Sequence, residues 1–116
     1  MEENPAAARD LEANARGNGA IEVRATGVER FLKQFKETPD FVVVDPPREG
    51  VPRAALERFV QLSPPHISYV SCEPPTLARD LVLLLESRYE ISEIHLFDLF
   101  PQTFHMEAVI HLHRRR

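Results

Sequence analysis

The apolar positions change their period several times along the chain, and each change predicts an element. Asn4-Pro5 reads as a helix start, a capping residue followed by proline in the first turn. Ala7, Ala8, Leu11 and Ala15 then recur on one face, and Gly17-Asn18-Gly19 ends the helix in residues that tolerate left-handed backbone. Ile21 to Ala25 alternates apolar and polar, which predicts a short strand. Val28, Phe31, Leu32 and Phe35 follow at helical spacing, and Thr38-Pro39 stops them. Phe41-Val42-Val43-Val44 is a continuous apolar run of the kind found in a strand buried on both faces. The prolines of Asp45-Pro46-Pro47-Arg48-Glu49-Gly50 force a loop. A helix from about Pro52 to Leu62 carries Leu56, Phe59 and Val60 inward, and Ser63-Pro64-Pro65 breaks it. Ile67 to Ser71 is a short strand with Cys72-Glu73-Pro74-Pro75 as the turn out of it. A helix from about Thr76 to Ser87 is expected to bury Leu77, Leu81, Leu84 and Leu85. Ile91 to Phe97 and Met106 to His113 are the last two strands, joined by the loop from Asp98 to His105.

Strands alternating with helices predict an α/β fold, a mostly parallel sheet with helices on both faces. The two closing strands, separated by a short link, predict one antiparallel strand. No repeat, low-complexity segment or internal domain boundary is visible, so residues 1–116 read as parts of one domain.

Composition changes this picture little. Of the 116 residues 43% are apolar and 28% charged, as in an ordinary globular core and surface. No apolar run approaches the roughly 18 residues of a membrane span, and Met1-Glu2-Glu3-Asn4-Pro5 has no basic-then-apolar signal pattern. No membrane partner is expected. A single cysteine forms no internal disulfide and no zinc site alone, so no metal is expected and the default compartment is a reducing cytoplasm. The net charge of −4 is wrong for a free-standing nucleic-acid binder. If the substrate is nucleic acid, most of the electrostatic grip comes from outside this chain. Arg114-Arg115-Arg116 is either a phosphate contact or solvated charge at a frayed end.

Ligands of open parallel sheets gather outside the carboxyl ends of the strands. Three unusual segments fall there: Asp45-Pro46-Pro47-Arg48, Ser71-Cys72-Glu73-Pro74, and the run from Phe100 to Glu107 that leads into the last, antiparallel strand. One thiol and two carboxylates are therefore expected on one rim. Cys72, at a strand end and before a helix N-terminus that favours thiolate, is a candidate nucleophile; the commoner state of a free cysteine is a small buried hydrophobe. Glu107 is a candidate base or a solvated edge carboxylate. Asp45 is a ligand contact or the cap of its own turn, and His105 a site residue or a loop imidazole bonded to backbone.

Taken together, three stretches resemble the RNA uracil-C5 methyltransferase family, the S-adenosylmethionine-dependent enzymes that make 5-methyluridine in tRNA and rRNA. They are Val42 to Gly50, Tyr69 to Leu81 and Asp98 to Glu107, in the family's order and at about its spacing. An Asp-Pro-Pro alone is common to many methyltransferases. The serine-cysteine-x-proline turn with threonine-leucine-alanine-arginine-aspartate after it is specific, and more so when paired with the proline-x-threonine-x-histidine-x-glutamate loop. The family commonly has asparagine where Glu73 stands and alanine where Pro75 stands, departures expected to modulate loop geometry.

The resemblance implies a Rossmann-like S-adenosylmethionine-dependent methyltransferase fold, here its C-terminal portion. It implies Cys72 as nucleophile, Glu107 as base, Asp45 as a contact to the methyl donor, Pro46 and Pro47 as stiffeners of that loop, and RNA as partner. Arg48, Thr103 and His105 are motif members without an assigned role. The family's glycine-rich turn, the strand ending in an acidic residue and the N-terminal RNA-binding region have no counterpart in this sequence. The missing strands would lie between Ile21 and Phe41 in the sheet. Residues from about Phe41 onward are therefore expected to hold together better than the first 38, and the chain by itself to be inactive, or to need the missing half or a second copy as partner. Two other readings compete: a non-catalytic remnant or assembly module, and an amino-methyltransferase using the Asp45-Pro46-Pro47 loop.

Overall fold

The computed structural model describes residues 1–99, 102–103 and 106–116. They form two compact units, Met1–Lys36 and Glu37–Arg116.

In the first unit, helix α1 (Pro5–Ala15) starts at Asn4, whose side-chain oxygen accepts from the Ala6 and Ala7 N–H groups at 2.9 and 3.2 Å. That satisfies two of the donors a helix start leaves unpaired. Gly17, at φ 80°, takes the chain out of the helix. Helix α2 (Val28–Gln34) follows, and Phe31 and Phe35 stack at 5.2 Å on its exit. The strand expected over Ile21–Ala25 does not form. Alternation is only half of what a strand needs; its backbone must also find a neighbour. Here the Ile21 N–H turns back to the Asn18 carbonyl, the Arg24 carbonyl accepts from Glu2 N–H, and half of Ile21 is exposed.

The second unit holds β1 (Phe41–Val44), α3 (Arg53–Leu62), β2 (His66–Ser71), α4 (Pro74–Ser87), β3 (Tyr89–Phe97) and β4 (Glu107–Arg114). Strand order is β1-β2-β4-β3. β1 pairs with β2 in parallel, while β4 runs antiparallel to both β2 and β3. Three strands thus share a direction and β4 alone opposes them, the expected arrangement. β2 and β4 are the two inner strands, with Ile67 and Tyr69 buried in one and Ile110 and Leu112 in the other.

α3 and α4 pack together on one face of this sheet, as the right-handed crossover rule expects for two connections running in the same direction. That face carries Ile67, Tyr69, Ile110 and Leu112 against Leu56, Phe59 and Leu84. The other face is open within the unit, so the expectation of helices on both faces is not met here. β1 is corrected in the same way. It is an edge strand, with Phe41 54% and Val43 61% exposed, because its second neighbour and the cover for that face are not among the elements of this unit.

The ends of the helices explain two further residues. Ser63 closes α3 at φ 54°, a left-handed position unusual without glycine. Arg114 donates to its carbonyl at 2.6 Å and to its hydroxyl at 3.1 Å. Arg115 reaches the Leu85 and Ser87 carbonyls at the end of α4, at 3.3 and 3.4 Å. Both arginines therefore sit where helix ends carry partial negative charge. The tail is exposed, as solvated charge would be, but Arg114 and Arg115 also hydrogen-bond the two helix ends.

Candidate active site

β2 ends at Ser71, whose hydroxyl accepts from the Glu73 N–H at 3.1 Å and donates to the Glu73 carbonyl at 3.2 Å. This closes a tight turn with Cys72 at its apex. The prolines at 74 and 75 then start α4 directly, since the first helical positions need no N–H. Cys72 is half-buried, a free thiol just ahead of a helix N-terminus.

Register places its neighbours. The last paired residues of β2 and β4 are Ser71 and Ala108. One step further along the same register stand Cys72 and Glu107, the half-buried first residue of β4. Asp45 directly follows Val44, which pairs with Tyr69, so it lies at the same strand-end rim, one position short of Ser71. Thiol and both carboxylates are thus brought to one edge, as the motif order predicts. Asp45 and Arg48 are exposed there, as is Thr103 in the β3–β4 loop. His105 lies outside the described residues, together with Phe100, Pro101 and Phe104.

Sequence reasoning missed what holds this rim together. Asp80, read from the sequence only as a member of the motif after Cys72, is 1% exposed. Its Oδ2 accepts from the Val51 N–H at 2.9 Å and from the Tyr69 hydroxyl at 2.5 Å. Its Oδ1 takes the Arg79 Nε at 2.9 Å, and Arg79 also donates to the Glu49 carbonyl at 2.8 Å. One acidic side chain therefore ties α4, the strand before it and the loop after β1. Gly50 is the contact point: at φ 82°, a Cβ there would come within 2.4 Å of the Thr76 methyl and 2.6 Å of Asp80 and Arg79. Burial, the Asp80 hydrogen bond and the Asp80 charge together raise the Tyr69 phenol far above its ordinary range. The signal was present: Leu77, Asp80 and Leu84 fall at i, i+3 and i+7, so a charge interrupts the apolar face.

A strand-end rim on an α/β sheet with one antiparallel strand, bearing a thiol between two carboxylates, is compatible with part of a Rossmann-like methyltransferase fold. The family follows directly. The model of the tRNA (uracil-5-)-methyltransferase family matches residues 23–115, and the chain belongs to that family. An RNA methyltransferase of Thermotoga maritima is 40% identical over 114 residues, 97% of this chain and 26% of that protein. Another, from Caldanaerobacter subterraneus subsp. tengcongensis, is 47% identical over 85 residues, 73% of this chain and 19% of that one. The crystal structure of Pyrococcus abyssi tRNA (uracil-54, C5)-methyltransferase in complex with S-adenosyl-L-homocysteine superposes with a TM-score of 0.77 at 34% identity. It is covered over 27% of its length by 95% of this chain. The chain spans about a quarter, or less, of the proteins it matches.

Proposed function

We propose that this chain is the nucleophile-and-base portion of an S-adenosylmethionine-dependent methyltransferase that modifies C5 of uridine in tRNA or rRNA. The observation that carries the reading is the β2–β4 register, which sets Cys72 beside Glu107 on the rim that also bears Asp45. Uracil C5 is a weak nucleophile. The Cys72 thiolate adds to C6, and the electron pair displaced from the C5–C6 bond makes C5 enolate-like. Bound S-adenosylmethionine supplies the electrophilic methyl group that C5 takes up. Glu107 then accepts the C5 proton, the C5–C6 double bond re-forms, and the Cys72 sulfur leaves with its electron pair. The target base has to leave its stack to reach such a site. Unpaired RNA on either side suits the half-buried rim.

The donor fits this chain only at its margin. Asp45 and the loop to Gly50 can contact it, while no glycine-rich turn follows any strand here. The chain by itself is accordingly expected to bind S-adenosylmethionine weakly and to work with a donor-binding partner segment. A nucleophile that must stay a free thiol suits a reducing cytoplasm.

The test is RNA carrying 5-fluorouridine, given with S-adenosylmethionine to a protein of full family length that contains this chain. Fluorine at C5 gives Glu107 no proton to remove, so an RNA adduct on Cys72 should accumulate and be absent in Cys72→Ala. Undiminished methylation by Cys72→Ala would sink the mechanism and favour amino-methyl transfer. A second reading, an assembly module without catalysis, draws on the exposed Phe41 and Val43 of the open edge. It predicts no adduct under any of these conditions.

A further inference from the structure

On the open face of the sheet, away from the Cys72 rim, three side chains converge that the methyltransferase reading does not use. Glu93 and His95 are alternate residues of β3, and His111 comes from β4. Their donor atoms all lie within 4.8 Å of one another. Glu93 Oε2 and His95 Nε2 are 2.7 Å apart, and the two imidazoles meet edge to face with centroids 5.5 Å apart. We propose that Glu93, His95 and His111 bind a divalent first-row transition-metal ion, with zinc the best match to the ligand set.

Two features beyond proximity support the site. The first is the tethering of His111. Its Nδ1 is 2.6 Å from the hydroxyl of Ser68, a buried residue of β2 directly opposite it. Such an outer partner fixes the ring and leaves Nε2 as the free ligand atom, the usual arrangement at histidine metal sites. The second is a register shift in β3 between Ile91 and Glu93. Without the extra residue, Ser92 would stand opposite His111. With it, Glu93 stands opposite His111, and His95 follows on the same face, while Ile91 and Ile94 turn to the other. Bulges often re-aim side chains in this way beside functional sites.

The geometry needs little adjustment. Tetrahedral zinc with ligand bonds of about 2.0–2.2 Å holds its ligand atoms about 3.3 Å apart. The Glu93–His95 pair would open slightly and the wider pairs close, by rotation of side chains that are exposed or half-buried. Two imidazoles and one carboxylate leave the fourth position to water, since the site faces solvent. A bound ion would clip β3 to β4, the hairpin that carries Glu107 at its end. No linear motif points to it, because the ligands lie on two strands and only the bulge aligns them.

The test is calorimetric titration of the metal-free chain with zinc chloride, and with copper(II) for electron paramagnetic resonance. One equivalent is expected, with two nitrogen ligands in the copper spectrum and an upward shift of the melting temperature with zinc. His95→Ala and His111→Ala should each abolish that event, and Ser68→Ala should weaken it about 10–100-fold. His113→Ala removes an imidazole from the neighbouring Glu90–His113 pair on the same face and should leave it within about twofold. No saturable binding, or binding that survives His111→Ala or is lost in His113→Ala, would overturn the proposal. Circular dichroism of each variant shows that it is folded. If His111→Ala does not fold, His95→Ala, on the outer strand, and the copper nitrogen count decide.

Discussion

Replacing Asp80 by alanine should be the most damaging single change in the second unit that leaves the chemistry untouched. Asp80 is 1% exposed, and Val51, whose N–H it accepts, is 5% exposed. Alanine leaves that N–H and the Tyr69 hydroxyl without an acceptor, each costing about 1–3 kcal/mol when buried. Arg79 adds little, because its side chain is 61% exposed and water replaces the lost partner. The sum is about 2–6 kcal/mol. A unit of this size has roughly 4–12 kcal/mol in all, at about 0.05–0.15 kcal/mol per residue, so the loss is a large fraction of its total stability. Tyr69→Phe removes one donor and leaves Asp80 its N–H partners, for about 1.5 kcal/mol. Urea unfolding followed by circular dichroism measures both, and the two losses should not add, since the double variant leaves one fewer orphan. Amide exchange gives a local readout: the Val51 N–H should lose protection in Asp80→Ala under conditions where β4 keeps its own. A loss below about 1 kcal/mol for Asp80→Ala, or an unchanged Val51 amide, would refute the argument that this carboxylate pins the loop.

Gly50→Ala should cost about 2–4 kcal/mol, from left-handed strain plus the clash with Thr76, Arg79 and Asp80, read again by urea unfolding. Arg115→Ala should cost about 0.5–1 kcal/mol, and less at high salt, as the carbonyl end of α4 loses its cation. Raising the pH should expose the two buried tyrosines. Burial raises both phenols, with Asp80 adding to the effect at Tyr69 and Arg114 opposing it at Tyr89. The fold thus favours the neutral forms. Their contribution is complete below the ordinary phenol value near pH 10 and is lost as pH rises toward the folded values, by up to about 1.4 kcal/mol per pH unit for each tyrosine. Melting temperature against pH should fall steeply above pH 10, and less steeply in Tyr69→Phe.

How much of this was legible in the sequence follows from what each feature depends on. Local rules placed six helices and strands of the second unit within about two residues, because caps, prolines and periodicity act over a few positions. The motifs also placed the rim, since a strand end is a local event and the last strand's direction follows from its short link. What failed was anything that needed a neighbour. Ile21–Ala25 has the pattern of a strand but no partner to pair with, and β1 has the composition of a covered strand with one face bare. Both failures have the same form: an element patterned for a neighbour that is not found among the described residues. The site divides along the same line. Cys72, Glu107 and the clamp around Asp80 are all set by contacts within residues 41–116, so the thiol and the Glu107 carboxylate are held in register by this unit alone. Asp45 is exposed just beyond the edge strand β1, where a residue shared between two halves of a site would sit. A donor-binding segment supplied in trans should therefore bind against the β1 edge and protect Phe41–Val44 amides from exchange, while leaving β2 and β4 exchange unchanged. Protection spreading uniformly over all four strands would mean instead that the clamp alone does not preform the rim.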